Sequence, residues 1–256
     1  MKNKKNMTYE EIEFYSKELK LSKLKTHFKE YIKDAVNTDI SYETFLHEIL
    51  KKEYERLLDS RLKSRIRTAN FSQKKYLEDL VIEELPEDAR KKLKILESLE
   101  FIESKQNVIM SGNPGTGKTH LAIGLGMKAC MKGYKVLFTS VPSLIVQLKE
   151  AMSSRTLRVF QNKFGKYDLV ICDELGYISF DKEGAELLFS LLSLRANRKS
   201  TIVTTNLSFD RWEEIFNDPV ISAAMVDRLT HRAYMINMNG NSYRLKETEE
   251  FIKSMK

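Results

Sequence analysis

Gly112-Asn113-Pro114-Gly115-Thr116-Gly117-Lys118-Thr119 fits G-x-x-x-x-G-K-[ST], the pattern of a phosphate-binding loop. Chemistry explains the spacing. Glycines let successive backbone N–H groups turn inward around a β-phosphate, where side chains would block the approach. Lys118 supplies a mobile point charge for the β- and γ-phosphates, and the Thr119 hydroxyl can ligate Mg2+. A helix leaving the loop aims its positive end at the phosphates. Asn107–Ser111 reads as a buried strand running into the loop, and Thr119–Met131 as that helix. The octapeptide and His120 are therefore the candidate ATP contacts, with the His120 ring expected to pack against the strand rather than to catalyse.

Downstream, Leu169-Val170-Ile171-Cys172-Asp173-Glu174 is an apolar strand closing on two carboxylates. Carboxylates at the C-terminal end of a parallel strand face the crevice where a triphosphate lies. Asp173 is a candidate for the Mg2+ shell, and Glu174 for polarising the attacking water. The pair favours hydrolysis over transfer to an acceptor hydroxyl, so a metabolic P-loop kinase is disfavoured. Asn206 ends the next strand, Ser200–Asn206, where it can hydrogen-bond the same water or the γ-phosphate. Arg228, within Val226-Asp227-Arg228-Leu229-Thr230-His231-Arg232, has two readings: an arginine supplied across a subunit boundary, or a helix-surface partner of Asp227.

Around these motifs the pattern alternates strand and helix. Further strands are expected at Lys135–Ser140 and Tyr234–Met238, and the unalternating apolar runs suit parallel strands covered on both faces. Two helical segments, Val141–Met152 and Ser154–Lys163, form an insertion longer than a simple crossover needs. Before the first strand the chain reads as helical: Thr8-Tyr9-Glu10-Glu11 is a candidate capping box, Ser41 can cap a long helix, and a helix spans about Glu87–Glu103. The expected organisation is a helical domain over 1–68, a linker over 69–86 and a nucleotide domain over 87–256. After the last strand, Asn239–Lys256 are too few for a helical lid domain, so closure of the site is expected from a neighbouring subunit.

Composition bounds the rest. The 256 residues carry a net charge of +7 and are 42% hydrophobic, enough for a core and mildly suggestive of a polyanionic partner. The two cysteines, Cys130 and Cys172, fall in an expected helix and strand and read as core residues of a reducing cytosol. No run approaches the roughly 20 apolar residues of a membrane span, and Met1–Lys5 lacks the apolar stretch of a signal peptide. The expectation is a cytoplasmic protein with no membrane partner. The four histidines are scattered and suggest no zinc site.

With these residues in place, the chain resembles the IstB-type ATP-binding proteins of insertion sequences, AAA+ ATPases of the initiator and helicase-loader branch. The likeness runs from about Tyr42 to Glu247. It is carried by Gly117–Ile123, Asp173-Glu174-Leu175-Gly176-Tyr177, Glu183–Phe189, Asp218-Pro219-Val220, Asp227-Arg228-Leu229 and Gly240–Leu245. The resemblance implies an α/β AAA+ P-loop core, a five-stranded parallel sheet between helices with no full C-terminal lid, preceded by a small helical domain. It implies that Lys118 and Thr119 bind ATP with Mg2+, that Asp173 and Glu174 form the Walker B pair, and that Asn206 is the first sensor. It makes Arg228 the expected arginine finger, with Arg232 as its understudy. It further implies an ATP-dependent homo-oligomer on duplex DNA, presenting target to an IstA-type transposase, with contacts made by the helical domain. Ser72 stands where the family usually has proline, and Leu80-Val81-Ile82 replaces an aromatic-acidic-aromatic segment, so the linker's contacts are expected to differ. Two basic clusters are candidate DNA contacts or solvated helix faces: Arg56, Arg61, Lys63, Arg65 and Arg67, and Arg155, Arg158, Lys163 and Lys166. A replicative helicase loader like DnaC or DnaI is the alternative function. The absence of cysteine before Cys130 excludes the loader type with a zinc module.

Overall fold

The computed structural model describes residues 2–255, with side chains described from Met7 to Met255. Met1 and Lys256, at the outer ends of the expected domains, and the side chains of the lysine-rich start lie outside the described residues. The chain divides into two compact units, residues 1–64 and 65–256.

The first unit holds α1 (Lys2–Glu18), α2 (Ser22–Thr38) and the start of α3 (Tyr42–Ala69), which carries the chain into the second unit. Tyr9 meets Phe28 edge-on at 5.4 Å between α1 and α2. The carboxylate of Glu53, 6% exposed, accepts from the Leu24 N–H at 2.7 Å and from Arg56 Nε at 2.7 Å. Ser41 caps α3, its Oγ accepting from the Thr44 N–H at 3.2 Å. The expected capping box at Thr8 is not the start of α1. No glycine or proline separates Lys2 from Thr8, so nothing stops the helix from extending to Lys2.

In the second unit, residues 70–86 form a strap with two single-turn 3-10 helices, Leu77–Asp79 and Ile82–Glu84. Then come α4 (Glu87–Ser98), α5 (Glu100–Glu103), β1 (Val108–Ser111), α6 (Lys118–Met131), β2 (Val136–Ser140), α7 (Val141–Ser153) and α8 (Leu157–Phe164). β3 (Leu169–Leu175), α9 (Lys182–Ser193), β4 (Ser200–Thr205), α10 (Glu213–Phe216), α11 (Pro219–Thr230), β5 (Tyr234–Asn237) and α12 (Tyr243–Ser254) complete it. The strands pair in the order β2-β3-β4-β1-β5, every pairing parallel, so all their C-terminal ends share one edge. The central strands are buried except at their C-terminal ends, where Ser111 is half-buried and Glu174 exposed, as their unalternating apolar sequence requires. The helix expected over Glu87–Glu103 breaks at Leu99, which takes a left-handed backbone, φ +65°. The turn tucks Leu99 (1% exposed) and Phe101 (1%) into the core, and their burial offsets a left-handed penalty of about 1–2 kcal/mol.

Arg195 holds the base of the α7–α8 insertion. Its side chain is 1% exposed, and burial pushes its guanidinium down to about 10. It donates to the carbonyls of Phe164 (3.1 Å), Tyr167 (3.0 Å) and Ser200 (2.7 Å) and to Thr201 Oγ1 (3.3 Å). One cation thus closes the C-terminus of α8 onto the starts of β3 and β4. Arg195→Met keeps the stem volume and strands those acceptors, so it is expected to destabilise the fold by about 3–5 kcal/mol. Urea unfolding measures the loss; an unchanged midpoint would show the carbonyls to be otherwise satisfied.

Candidate functional site

The P-loop closes the C-terminal end of β1 and opens α6. Gly112 passes so close to the turn after β5 that a Cβ there would lie 2.2 Å from the Met238 carbonyl carbon. Gly115, at φ +80°, leaves no room for one beside Ser242 Oγ, 2.1 Å away. The loop is thereby sewn to the C-terminal segment. The Gly115 carbonyl accepts from the Tyr243 N–H at 3.0 Å, and Asn113 Nδ2 donates to the Gly240 carbonyl at 3.4 Å. Thr116 Oγ1 tightens the turn by donating to the Asn113 carbonyl at 2.9 Å.

Lys118 is 7% exposed, and its ammonium donates to the carbonyls of Gly112 and Asn113, each at 2.7 Å. Burial pulls its pKa down to about 8; the Asp173 carboxylate opposes that shift and the Arg244 guanidinium adds to it. Thr119 Oγ1 lies 3.0 and 3.1 Å from the two oxygens of Asp173, and Thr204 Oγ1 also donates to Oδ1 of that carboxylate. Asp173 is buried (4% exposed), whereas the Glu174 side chain is exposed. On a regular strand these neighbours would point to opposite faces. Here the β3–β4 register shifts between Cys172 and Leu175, and Glu174 turns left-handed at φ +64°. The bulge brings both carboxylates to the same cleft, with the Glu174 N–H bound to Thr204 Oγ1 at 3.0 Å. β3 was expected to end at this pair; it runs on to Leu175 because the bulge absorbs the kink.

The cleft measures about 650 Å3. Its floor is Gly115–His120, Ile123, Asp173 and Glu174, and its walls are the strap, from Ser72 to Leu85, and the start of α12. His120 faces this cleft rather than the strand, its Nε2 hydrogen-bonded to the Tyr76 carbonyl of the strap at 2.9 Å. Glu247 of α12, and Lys74 and Lys75 of the strap, line the cleft without having been marked by any motif, and Tyr243 and Arg244 of the Gly240–Leu245 segment line it too. α12 and the strap are clasped by an ion pair between Lys246 and Glu84. Only the Gly240–Leu245 segment hinted at Arg244, because no spacing rule links a P-loop to a residue so far along the chain.

Asn206 faces an adjoining hollow of about 410 Å3, shared with Pro114, Tyr177, Arg211 and Glu214. Its Oδ1 is buried without a partner among the described residues. Tyr177 borders both spaces. Arg228 lies elsewhere: it sits near the end of α11, beside Leu229, whose carbonyl accepts from Asn107 Nδ2 at 3.1 Å at the N-terminal edge of the sheet. Arg232 follows at the turn into β5, with φ +54°.

The candidate DNA contacts divide. Arg56 is spent on Glu53 and on the Lys20 carbonyl (2.9 Å), and Lys63 pairs with Asp59 at 2.7 Å. Arg61 and Arg67 are exposed, and Arg65 is half-buried near Gly133. Arg155, Arg158, Lys163 and Lys166 are all exposed and make no ion pair among the described residues. Among those residues no group of His, Cys, Asp or Glu has metal-cage geometry, and no helix is long and apolar enough to cross a membrane. The buried cysteines are not reactive thiols, since burial raises Cys130 to about 11 and Cys172 to about 12.

Comparison with known proteins places this geometry in a lineage. The core is similar to AMPPCP-bound DnaA from Aquifex aeolicus (TM-score 0.57, 22% identity, 72% of this chain and 56% of that one), so it spans little more than half of that protein. It is also similar to DnaI (TM-score 0.55, 20% identity, 64% of this chain and 91% of that one). At these identities the likeness establishes the fold, an AAA+ P-loop core preceded by helices. In sequence the chain is 36% identical to the protein named as the ATP-binding protein of insertion sequence IS21 from Pseudomonas aeruginosa, over 93% of this chain and 89% of that one. It is 33% identical to the corresponding IS5376 protein of Geobacillus stearothermophilus, over 93% and 95%. The model of the IstB-like ATP-binding proteins matches residues 15–251, and the chain belongs to that family.

Proposed function

We propose that this protein is a DNA-remodelling ATPase that serves a transposase during transposition of an insertion sequence. The observation that carries the reading is the shared cleft of Lys118, Thr119, Asp173 and Glu174, while Arg228 stands at the opposite edge of the sheet. ATP lies along the P-loop, whose N–H groups and Lys118 ammonium take the β- and γ-phosphates. Thr119 and Asp173 offer adjacent oxygens, the hard donor set that suits a magnesium ion keeping most of its waters. Bound there, that ion supplies charge neutralisation for the phosphates. Glu174 orients and polarises the attacking water, Asn206 Oδ1 accepts from it, and Arg244 adds positive charge beside Lys118.

Arg228 does not line its own cleft, which supports a reading in which a second copy supplies it and the active form is a homo-oligomer. Residues 1–68 serve oligomer and transposase contacts, 69–86 strap the nucleotide, and 87–256 form the motor. The exposed cations of the insertion, Arg155, Arg158, Lys163 and Lys166, support duplex DNA held through its phosphates. Electron microscopy with duplex DNA and a non-hydrolysable ATP analogue tests the whole reading. Oligomers that bend duplex are expected, and Lys118→Ala should abolish them. Solitary particles, or particles that ignore duplex and dock on a helicase ring, would replace this function with a loader's.

Lys118 also predicts a pH dependence. Phosphate binding needs the ammonium, which in the free cleft loses its proton near pH 8. Below that pH the charge is already present; above it, ATP must bring a proton in. Affinity is therefore expected to fall with rising pH above about 8, by up to tenfold per unit, with proton uptake visible by calorimetry in buffers of different ionisation enthalpy. An affinity flat from pH 7 to pH 9.5 would refute it.

A further inference from the structure

We infer that Phe189 is a positioning residue for Arg228, holding its guanidinium ready for the triphosphate of a neighbouring copy; the inference rests on the trans-arginine reading above. The guanidinium carbon of Arg228 lies 4.8 Å from the centre of the Phe189 ring. Phe189 belongs to α9 and is half-buried against the core, so the ring has little freedom, while Arg228 is exposed on α11. Among the described residues the Arg228 guanidinium makes neither an ion pair nor a hydrogen bond, although Asp227 is its neighbour in sequence.

The choice of a ring over a carboxylate has a physical consequence. A carboxylate would take the fork of N–H donors and cancel the charge. An aromatic face attracts the cation electrostatically and asks for no donor, so every N–H of the guanidinium stays available to an incoming anion. The long side chain is thus restrained before its ligand arrives, which lowers the ordering cost when it engages. Arg228 does not line the cleft of Lys118 and Asp173; it adjoins Leu229, which is bonded to Asn107 just before β1, and the strand from Asn107 to the P-loop at Gly112 is itself roughly 16 Å long at about 3.3 Å per residue. The anion that the fork awaits belongs to another molecule.

The test mixes two full-length variants. Glu174→Gln subunits bind ATP and donate an intact Arg228; Arg228→Ala subunits offer an intact cleft. The mixture should recover hydrolysis that neither shows alone. Phe189→Leu, which keeps the apolar bulk and removes the ring, should then lower the recovered kcat roughly 3- to 30-fold when placed on the arginine donor. The KM for ATP should stay unchanged. Placed on the cleft donor it should do nothing, and Phe189→Tyr on the arginine donor should restore turnover. A loss that ignores which subunit carries Phe189→Leu, or a loss that Phe189→Tyr shares, would mark a packing role and overturn the inference. Full recovery with Phe189→Leu on the donor also overturns it, leaving the trans-arginine reading intact. Should Arg228→Ala alone hydrolyse at the wild-type rate, the trans-arginine reading fails, and this inference with it.

Discussion

Glu174→Gln is expected to bind ATP as tightly as the unmodified chain while turning over about 10²- to 10⁴-fold more slowly, the usual worth of a positioned general base. The substitution is nearly isosteric and falls on an exposed side chain, and the backbone bond that fixes the bulge, from the Glu174 N–H to Thr204 Oγ1, is untouched. Fold and cleft should therefore survive. Losing a negative charge beside the phosphates removes repulsion and cannot weaken binding. Asp173 makes an instructive contrast. It is buried and accepts from both Thr119 and Thr204, so replacing it disturbs the site itself and mixes binding with chemistry. Equilibrium binding of a fluorescent nucleotide and single-turnover hydrolysis separate the two quantities. A Glu174→Gln protein hydrolysing within twofold of the native rate would assign the water to another group, for which Asn206 and Tyr177 are the neighbours to try.

Those carboxylates were readable in the sequence because their chemistry is local. A P-loop is specified by eight consecutive residues, and an apolar strand ending in Asp173-Glu174 announces its own position at the sheet edge. The order of strands and helices followed from hydrophobic runs for the same reason. What the sequence concealed depends on contacts between distant segments. The bulge that turns Glu174 toward Asp173 is set by the register with β4, and the break at Leu99 by the core that receives it. The roof was hidden most deeply. Among the described residues after β5 there is one helix, α12. That helix is sewn to Gly115 and brings Arg244 to the cleft. The strap reaches the same place through the Tyr76 carbonyl and His120, a bond between groups 44 residues apart. A helix that buries no residue of its own, as α12 does, leaves no apolar stripe from which its docking could be read.

Arg228→Ala should cost about 10³- to 10⁵-fold in turnover, the range spanned by arginine fingers in phosphoryl transfer, without weakening the capture of ATP by a single subunit. The two halves of that expectation have separate causes. Capture is expected to depend on Lys118, Thr119 and the strap, which line the cleft, whereas Arg228 lies beside Leu229 at the other edge. In the loose transition state negative charge builds on the oxygen between the β- and γ-phosphorus atoms, so a guanidinium arriving there lowers the barrier more than it stabilises bound substrate. The chain already places one arginine, Arg244, near its own Lys118, which makes the prediction sharp. If Arg244 sufficed, a lone subunit would hydrolyse ATP and Arg228→Ala would be silent. If two arginines are needed, one from each copy, turnover per subunit must rise with protein concentration and fall on dilution, and Arg228→Ala must stay slow at every concentration. Steady-state rates across a dilution series, with mass photometry on the same samples, distinguish these cases; a rate per subunit that ignores dilution would refute the shared site.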